Sequence, residues 1–438
     1  MISSSILNDL VARIAEAGRS LTLGSSAQAN DPITLCERLL TGKGEATGLA
    51  IAQQVLDAYA TLDDQARVDF FHEVEKRFGV DGEALEQAVA AWRNEGPAAA
   101  RALHFASEPR SQELIRRLNR APGGTPALVG MRADLLEAAR EDPALRPLDT
   151  DFQHLLASWF NRGFLELRRI DWSTSAAVLE KIIAYEAVHE IAGWGDLRRR
   201  VAAADRRLYA FFHPALGDDP LIFVEVALTA ELPGAIGPIL AEDHPPLDPR
   251  KATTAAFYSI SNCQKGLRNI SFGNFLIKQV VEELRREFEN LTTFVTLSPV
   301  PGLRRWAEQE AAAEDGMLGA EAAAQIAAFD RDDQALESEE LRALAAVYLL
   351  EARAPRGGAA DPVARFHLGN GARLQRINLA ADLSTRGRAT AWGVMVNYLY
   401  DLRDIEKNHE AYANDGSIAA SSGVQRLVRH SKWGTAHA

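Results

Sequence analysis

The stretch FYSISNCQKGLRNISFGNFLIKQVVEELRREFENLTTFVTLSPVPG, Phe257 to Gly302, decides how the second half of the chain folds. Ala255 to Ile260 is small, aromatic and β-branched, the composition of a buried strand. Gly266 and Gly273 bracket a polar turn. Phe275, Leu276, Val280, Leu284 and Phe288 then recur at helical spacing, which predicts an amphipathic helix. Thr292 to Leu297 is a second β-rich run, and it leads through Ser298 into a rigid Pro-x-Pro-Gly turn. A strand feeding a glycine-containing turn at a helix N-terminus brings free backbone N–H groups to the positive end of the helix dipole, a generic anion cradle. Two readings fit equally: a site for a phosphate-bearing ligand, or an ordinary strand-to-helix connection.

Working outward, 438 residues are enough for two or more domains and a large core. A hydrophobic share of 47% with 25% charged residues marks a globular chain and excludes a disordered one. No apolar run reaches the length of a membrane span. The N-terminal MISSSILNDLVARIAEAGRS carries Asp9 and Glu16 and reads as an amphipathic helix rather than a signal peptide. Cys36 and Cys263 are far apart and lack metal-ligand spacing, which implies a reducing, cytoplasmic setting without a disulfide framework. A net charge of −12 argues against sequence-independent nucleic-acid binding but leaves room for a local basic pocket. The C-terminal GTAHA carries no targeting tripeptide.

The first half reads as helix almost throughout. Asp31-Pro32 is an N-cap followed by Pro at the first helical position. Amphipathic runs follow at 49–59, 63–78, 82–92, 98–106, 111–118 and 128–140, with an interrupted one at 145–167 and another from Ser173 or Thr174 to about His189. Short links rich in Gly, Pro and Asp fit an antiparallel bundle. Beyond Trp194 the texture changes. Arg206 to Phe212 and Leu221 to Leu228 read as strands around HPALGDDP, and Glu231 to Ile239 as a broken third element. After Gly302, runs at 308–313, 320–328 and 338–350 read as a helical insertion, the last capped by Ser338. From Val363 the chain reads as loop and strand again, with a further strand over Val394 to Tyr400 and a short terminal helix. The expectation is an α+β protein: an all-α helical bundle over 1–190, then a mixed α/β domain over 191–438 with a helical insertion at about 303–355.

These motifs closely resemble the malonyl-CoA decarboxylase family. The matching runs are YEAVH (Tyr185 to His189), VEVALT (Val224 to Thr229), FYSIS (Phe257 to Ser261), FLIKQVVEELRREF (Phe275 to Phe288), LSPVPG (Leu297 to Gly302) and FHLGNGARLQRINLAADLS (Phe366 to Ser384), in family order over roughly 185–410. The resemblance implies a catalytic domain similar to the GNAT N-acetyltransferases, which hold acyl-CoA on a mixed sheet. It gives the turn to CoA: Arg268, Asn269, Ile270, Ser271, Phe272, Gly273 and Asn274 are the expected pyrophosphate-binding residues, with Arg268 or Lys265 offsetting charge. Animal members carry an acidic residue where this chain has Ser271, so no catalytic carboxylate is assigned there. The resemblance also implies a homotetramer associated through the helical domain.

Decarboxylating malonyl-CoA leaves a thioester enolate that must be protonated at carbon. The protein has to hold the carboxylate out of the thioester plane, stabilise the oxyanion and deliver one proton. The thioester carbonyl is itself the electron sink, so no metal or other cofactor is expected, and no His/Cys/Asp cluster offers a metal site. The family's Ser/His pair maps onto Ser298 and His367. Read without the resemblance, Ser298 is a turn cap and His367 a structural loop histidine. Tyr400 matches a family tyrosine that the resemblance would set near the pair, but it reads first as a packed aromatic of the sheet; Asn370, which could orient His367 or the thioester, reads first as a turn residue beside Gly371. Two other functions suit the same fold: an acyl-CoA-dependent N-acetyltransferase, or an acyl-CoA sensor without catalysis. The matched Ser298 and His367 motifs argue against the transferase.

Overall fold

The computed structural model describes residues 31–429 apart from 43, 271–275, 315, 319–321 and 356, together with 431 and 433. The expected helix in the first twenty residues lies outside them. The chain forms two compact units. One is Met1–Glu166 with the excursions Phe212–Pro220 and Gln264–Phe272; the other holds the rest.

The first unit is the expected bundle. Its helices are α1 (Pro32–Thr41), α2 (Glu45–Ala60), α3 (Asp64–Phe78), α4 (Gly82–Glu95), α5 (Ala100–Ala106), α6 (Arg110–Leu118), α7 (Gly124–Glu141) and α8 (Arg146–Trp159). Asp31, Asp63 and Asp81 cap α1, α3 and α4 by accepting the N–H of Thr34, Ala66 and Ala84, satisfying donors that the first turn leaves free. Phe70, Phe71, Val74 and Phe78 are the buried face of α3 and repeat at the helical period. Arg132 of α7 is fully buried. Its Nε donates to Asp149 at 2.8 Å, and its Nη1 donates to the carbonyls of Gly266 at 2.7 Å and Arg268 at 3.0 Å. One guanidinium thus holds the turn after the FYSIS strand against α7. Gly266 is required there, since a Cβ would overlap the carbonyl of Val129.

The second unit is built on an eight-stranded mixed sheet. The strands are β1 (Glu166–Ile170), β2 (Arg206–Phe212), β3 (Pro220–Thr229), β4 (Thr254–Asn262), β5 (Thr293–Thr296), β6 (Ser298–Pro299), β7 (Arg373–Asn378) and β8 (Met395–Leu399). Their order is β1-β2-β3-β4-β5-β8-β6, with β7 also on β8. β3 and β4 are antiparallel, whereas β4 and β5 run parallel from Thr254↔Thr293 to Phe257↔Thr296. The helix Leu276–Glu287 lies between β4 and β5 in sequence, as the opening stretch predicts. β4 continues to Asn262, past its last β5 pair at Phe257↔Thr296.

β1 was not foreseen. Its sequence ELRRI is largely exposed and charged, which suits the edge of a sheet and hides it from an apolar-pattern reading. With β1 and the helix Ala176–Tyr185 in the second unit, the division falls at Glu166 and not near residue 190. Within the stretch 303–355 the described helices are Leu303–Ala312, Ala322–Phe329 and Glu339–Leu350, the last capped by Ser338 as expected. Three of the quoted motifs converge in one buried polar network. Glu186 of YEAVH accepts the N–H groups of Val188 and His189 and the hydroxyls of Ser259 and Ser261, while Tyr258 donates to Glu225 of VEVALT at 2.6 Å. Arg200 pairs with Glu225 at 3.3 Å. These residues support β3 and β4.

Candidate active site

Ser298 begins β6 and pairs with Val396 of β8. The following Pro299 keeps its backbone extended, so the hydroxyl projects from a defined strand position. His367 is 69 residues further along and reaches Ser298: its Nε2 lies 3.1 Å from Ser298 Oγ. Both are buried, at 5% and 3% exposure.

His367 lies on a helix, Pro362–Gly369, and not in the loop expected. Asp361 caps that helix by accepting the N–H of Val363 at 2.9 Å and of Ala364 at 3.0 Å, and Pro362 opens it. This Asp-Pro pair is the same start signal as Asp31-Pro32; the run of glycines that follows masked it. The second carboxylate oxygen of Asp361 accepts the N–H of Gly302 at 3.2 Å. One side chain therefore starts the His367 helix and anchors the end of LSPVPG. Gly302 must lack a side chain, since a Cβ would overlap the hydroxyl of Tyr348.

The other ring nitrogen, Nδ1, lies 2.7 Å from Tyr400 Oη. Tyr400 is a partner of the histidine, not merely a packed aromatic of the sheet. Tyr398 stacks on the imidazole, centroids 4.7 Å apart and planes 24° from parallel. Asn370 ends the helix, donating from Nδ2 to the carbonyl of Phe366, which is the turn role expected of it. Thr296, unmarked in the sequence, places Oγ1 2.8 Å from Ser298 Oγ and accepts the N–H of Tyr398 at 3.1 Å. Nothing in a β-rich run singles out one threonine; its role depends on which hydroxyl it meets.

Burial sets the electrostatics. It pushes the His367 imidazole down to about 3, so the ring is neutral at physiological pH. Burial also holds the Tyr400 hydroxyl well above its ordinary value and raises the Asp361 carboxyl. A hydroxyl, a neutral imidazole and a phenol in series, closed off from water, can orient an acyl group and pass a proton. Among the described residues no group of three His, Cys, Asp or Glu has metal-ligand geometry. A cleft of about 880 Å³ takes in Tyr400, Arg285, Arg373 and Arg403 without Ser298 or His367 among its lining residues.

Arg268, Asn269 and Ile270 belong to the first unit, and Ser271, Phe272, Gly273 and Asn274 lie outside the described residues. Arg268 and Asn269 are exposed. The N–H groups of Arg268 and Ile270 are already donated to the carbonyls of Lys265 and Leu267. The expected row of free N–H groups is thus broken at those two positions. Asn269 adopts the left-handed conformation, φ 65°.

Fold and site together define an α+β enzyme with a buried hydroxyl–imidazole pair on an eight-stranded mixed sheet. Residues 163–437 match the family model of the malonyl-CoA decarboxylase C-terminal domain, and residues 78–160 that of its N-terminal domain. The mitochondrial malonyl-CoA decarboxylase of Rattus norvegicus is 36% identical over 413 residues, covering 84% of this chain and 83% of that protein. Crystal structures of malonyl-CoA decarboxylase from Rhodopseudomonas palustris and Agrobacterium vitis are 51% and 54% identical, with TM-scores of 0.88 and 0.85. Each covers 91% of this chain and 99% of its own. The chain belongs to the malonyl-CoA decarboxylase family.

Proposed function

We propose that the protein converts malonyl-CoA to acetyl-CoA and CO2 with Ser298 and His367 as its catalytic residues. The observation that carries this reading is the buried 3.1 Å contact between Ser298 Oγ and His367 Nε2 in a chain of this family. The bond between carboxylate and α-carbon breaks, its electron pair enters the thioester to form the enolate, and CO2 leaves. Ser298 orients the malonyl group, and His367 supplies or relays the one proton that the enolate carbon takes. The negative charge brought in by the carboxylate is discharged by a proton from water as product departs. Because the thioester carbonyl accepts the electron pair, we place no metal or other cofactor in the reaction.

We assign the CoA pyrophosphate to the turn 268–274, whose described members are Arg268, Asn269 and Ile270, with the exposed Arg268 guanidinium offsetting charge. We further assign the helical unit to homotetramer formation and the enzyme to the cytoplasm, where it would set malonyl-CoA levels in fatty acid metabolism. Two buried cysteines, neither in a disulfide, suit that compartment.

Incubation with malonyl-CoA and no added amine, reading acetyl-CoA and CO2, is the direct test. Turnover is expected; intact CoA binding without turnover would reject decarboxylation. Added amines then separate a transferase from a sensor. His367→Ala should lose turnover by roughly 100-fold or more while still binding CoA. Ser298→Ala should lose turnover with little change in thermal stability. Full activity in either variant removes that residue from the mechanism.

A further inference from the structure

The ladder between β8 and its neighbours is interrupted beside the Ser298–His367 pair. β8 pairs with β5 at Val295↔Leu399 and with β6 at Ser298↔Val396, and both pairings share one register. Among the described residues, the two pairs that this register would place between them, Thr296 with Tyr398 and Leu297 with Asn397, are not formed. The Tyr400 N–H reaches the Phe294 carbonyl at 2.9 Å. The alternation of an antiparallel ladder would bring the next such bond, from Tyr398, to the Thr296 carbonyl. The Tyr398 N–H instead donates to Thr296 Oγ1 at 3.1 Å, and the Thr296 carbonyl accepts a side-chain amide, Asn397 Nδ2 at 2.8 Å. A hydroxyl and an amide thus replace one main-chain bond.

Asn397 is fully buried and uses its whole hydrogen-bonding capacity. Nδ2 also donates to the Pro233 carbonyl at 3.1 Å, while Oδ1 accepts Arg376 Nε at 3.1 Å and Asn378 Nδ2 at 2.9 Å. The two carbonyls only accept and the guanidinium only donates, so a flipped amide would lose at least three of the four bonds. The orientation of Asn397 is therefore fixed by its surroundings. What lies across the interruption touches both members of the pair. Thr296 Oγ1 accepts the Ser298 hydroxyl at 2.8 Å, and Tyr398 stacks on the His367 imidazole with centroids 4.7 Å apart.

We infer that Asn397 is a positioning residue for the reaction: its amide keeps the Thr296 carbonyl from the Tyr398 N–H, and the gap so held sets the Thr296 hydroxyl against Ser298 and the Tyr398 ring against His367. The inference rests on the decarboxylase reading of that pair. Without the amide donor, the Thr296 carbonyl is a buried acceptor in need of a partner, and the Tyr398 N–H is the donor its register supplies. The ladder then closes, and Thr296 Oγ1 loses the N–H that orients it. The Ser298 hydroxyl and the imidazole lose their fixed supports together. None of the four partners of Asn397 lies in the turn assigned to CoA, so the loss falls on turnover and not on binding.

A crystal structure and steady-state kinetics of the full chain carrying Asn397→Asp test this. The substitution keeps the side-chain volume and the acceptors facing Arg376 and Asn378, and removes the donor. The Tyr398 N–H is expected on the Thr296 carbonyl, with Thr296 Oγ1 drawn beyond about 3.5 Å from Ser298 Oγ. kcat should fall roughly 10- to 100-fold, with KM for malonyl-CoA within about 2-fold. Asn378→Ala, which touches only the acceptor side of the amide, should keep kcat within about 3-fold of wild type. An interruption preserved in Asn397→Asp, a wild-type kcat, a loss carried by KM, or an Asn378→Ala variant as slow as Asn397→Asp each overturns the inference. Should Asn397→Asp fail to fold, Thr296→Val decides: it removes the hydroxyl that the gap positions. Lowered kcat at unchanged KM supports the role of Asn397, and wild-type kcat rejects it. Full activity of Ser298→Ala would instead reject the underlying reading and leave the crystallographic result standing.

Discussion

His367 sits where an imidazole loses its charge. Enclosed by Tyr398 of β8, by Tyr400 just past that strand's end and by its own helix, it is pushed down to about 3 from its ordinary value near ~6.5. Turnover therefore does not depend on an imidazolium, and the kcat profile should be flat between about pH 5 and 8. A break near ~6.5 assigned to this residue would contradict the neutral-ring reading. The same shift fixes a stability trend. Between about 3 and ~6.5 the unfolded chain holds more proton than the folded one, so stability is whole above ~6.5 and falls as pH drops through the window. From pH 7 to 5 the loss is on the order of 2 kcal/mol. Urea denaturation at both pH values should show that loss in wild type and not in His367→Gln.

Among the secondary-structure elements, the site depends on a junction. The helix that carries His367 and the turn that follows Ser298 share Asp361, which satisfies the first turn of one and the Gly302 N–H of the other. Tyr348, from the helix Glu339–Leu350, closes over Gly302 and places its hydroxyl 3.4 Å from the same carboxylate. Strand and helix are thereby held at one spacing, and the 3.1 Å contact follows from it. A methyl group at Gly302 would overlap the Tyr348 hydroxyl. Gly302→Ala should cost about 1–3 kcal/mol by overpacking and lower kcat by roughly 10-fold as Ser298 and His367 separate. Removing the obstructing hydroxyl in Gly302→Ala/Tyr348→Phe should recover at least half of both losses. If the double variant is no better than the single one, the overlap is not the cause.

For the whole molecule, the testable assignment is association. A homotetramer would have four times the 47.8 kDa chain mass. Light scattering across a dilution series should return that mass, and a monomer at micromolar concentration would overturn the proposal. Association through the helical unit also predicts that charge-reversing substitutions on its exposed faces lower the mass while leaving the Ser298–His367 chemistry intact.

The sequence by itself determined the elements whose signals are local. Helix period and the Asp31 cap marked the bundle, aromatic and β-branched residues marked β4 and β8, and long ordered motifs placed Ser298 and His367 in one family. Local signals failed where the deciding contact is remote. The charged β1 is a strand because a sheet edge receives it, not because its residues favour one. The N-cap before His367 was legible at Asp361-Pro362, but its second bond, to Gly302, was not. Thr296 on β5 and Tyr400 just past β8 are an ordinary threonine and tyrosine until β5, β6 and β8 lie side by side. Only the tertiary structure decided their roles, because a buried hydrogen bond is specified by the partner that packing brings within about 3 Å, and the partners here are as much as 102 residues apart.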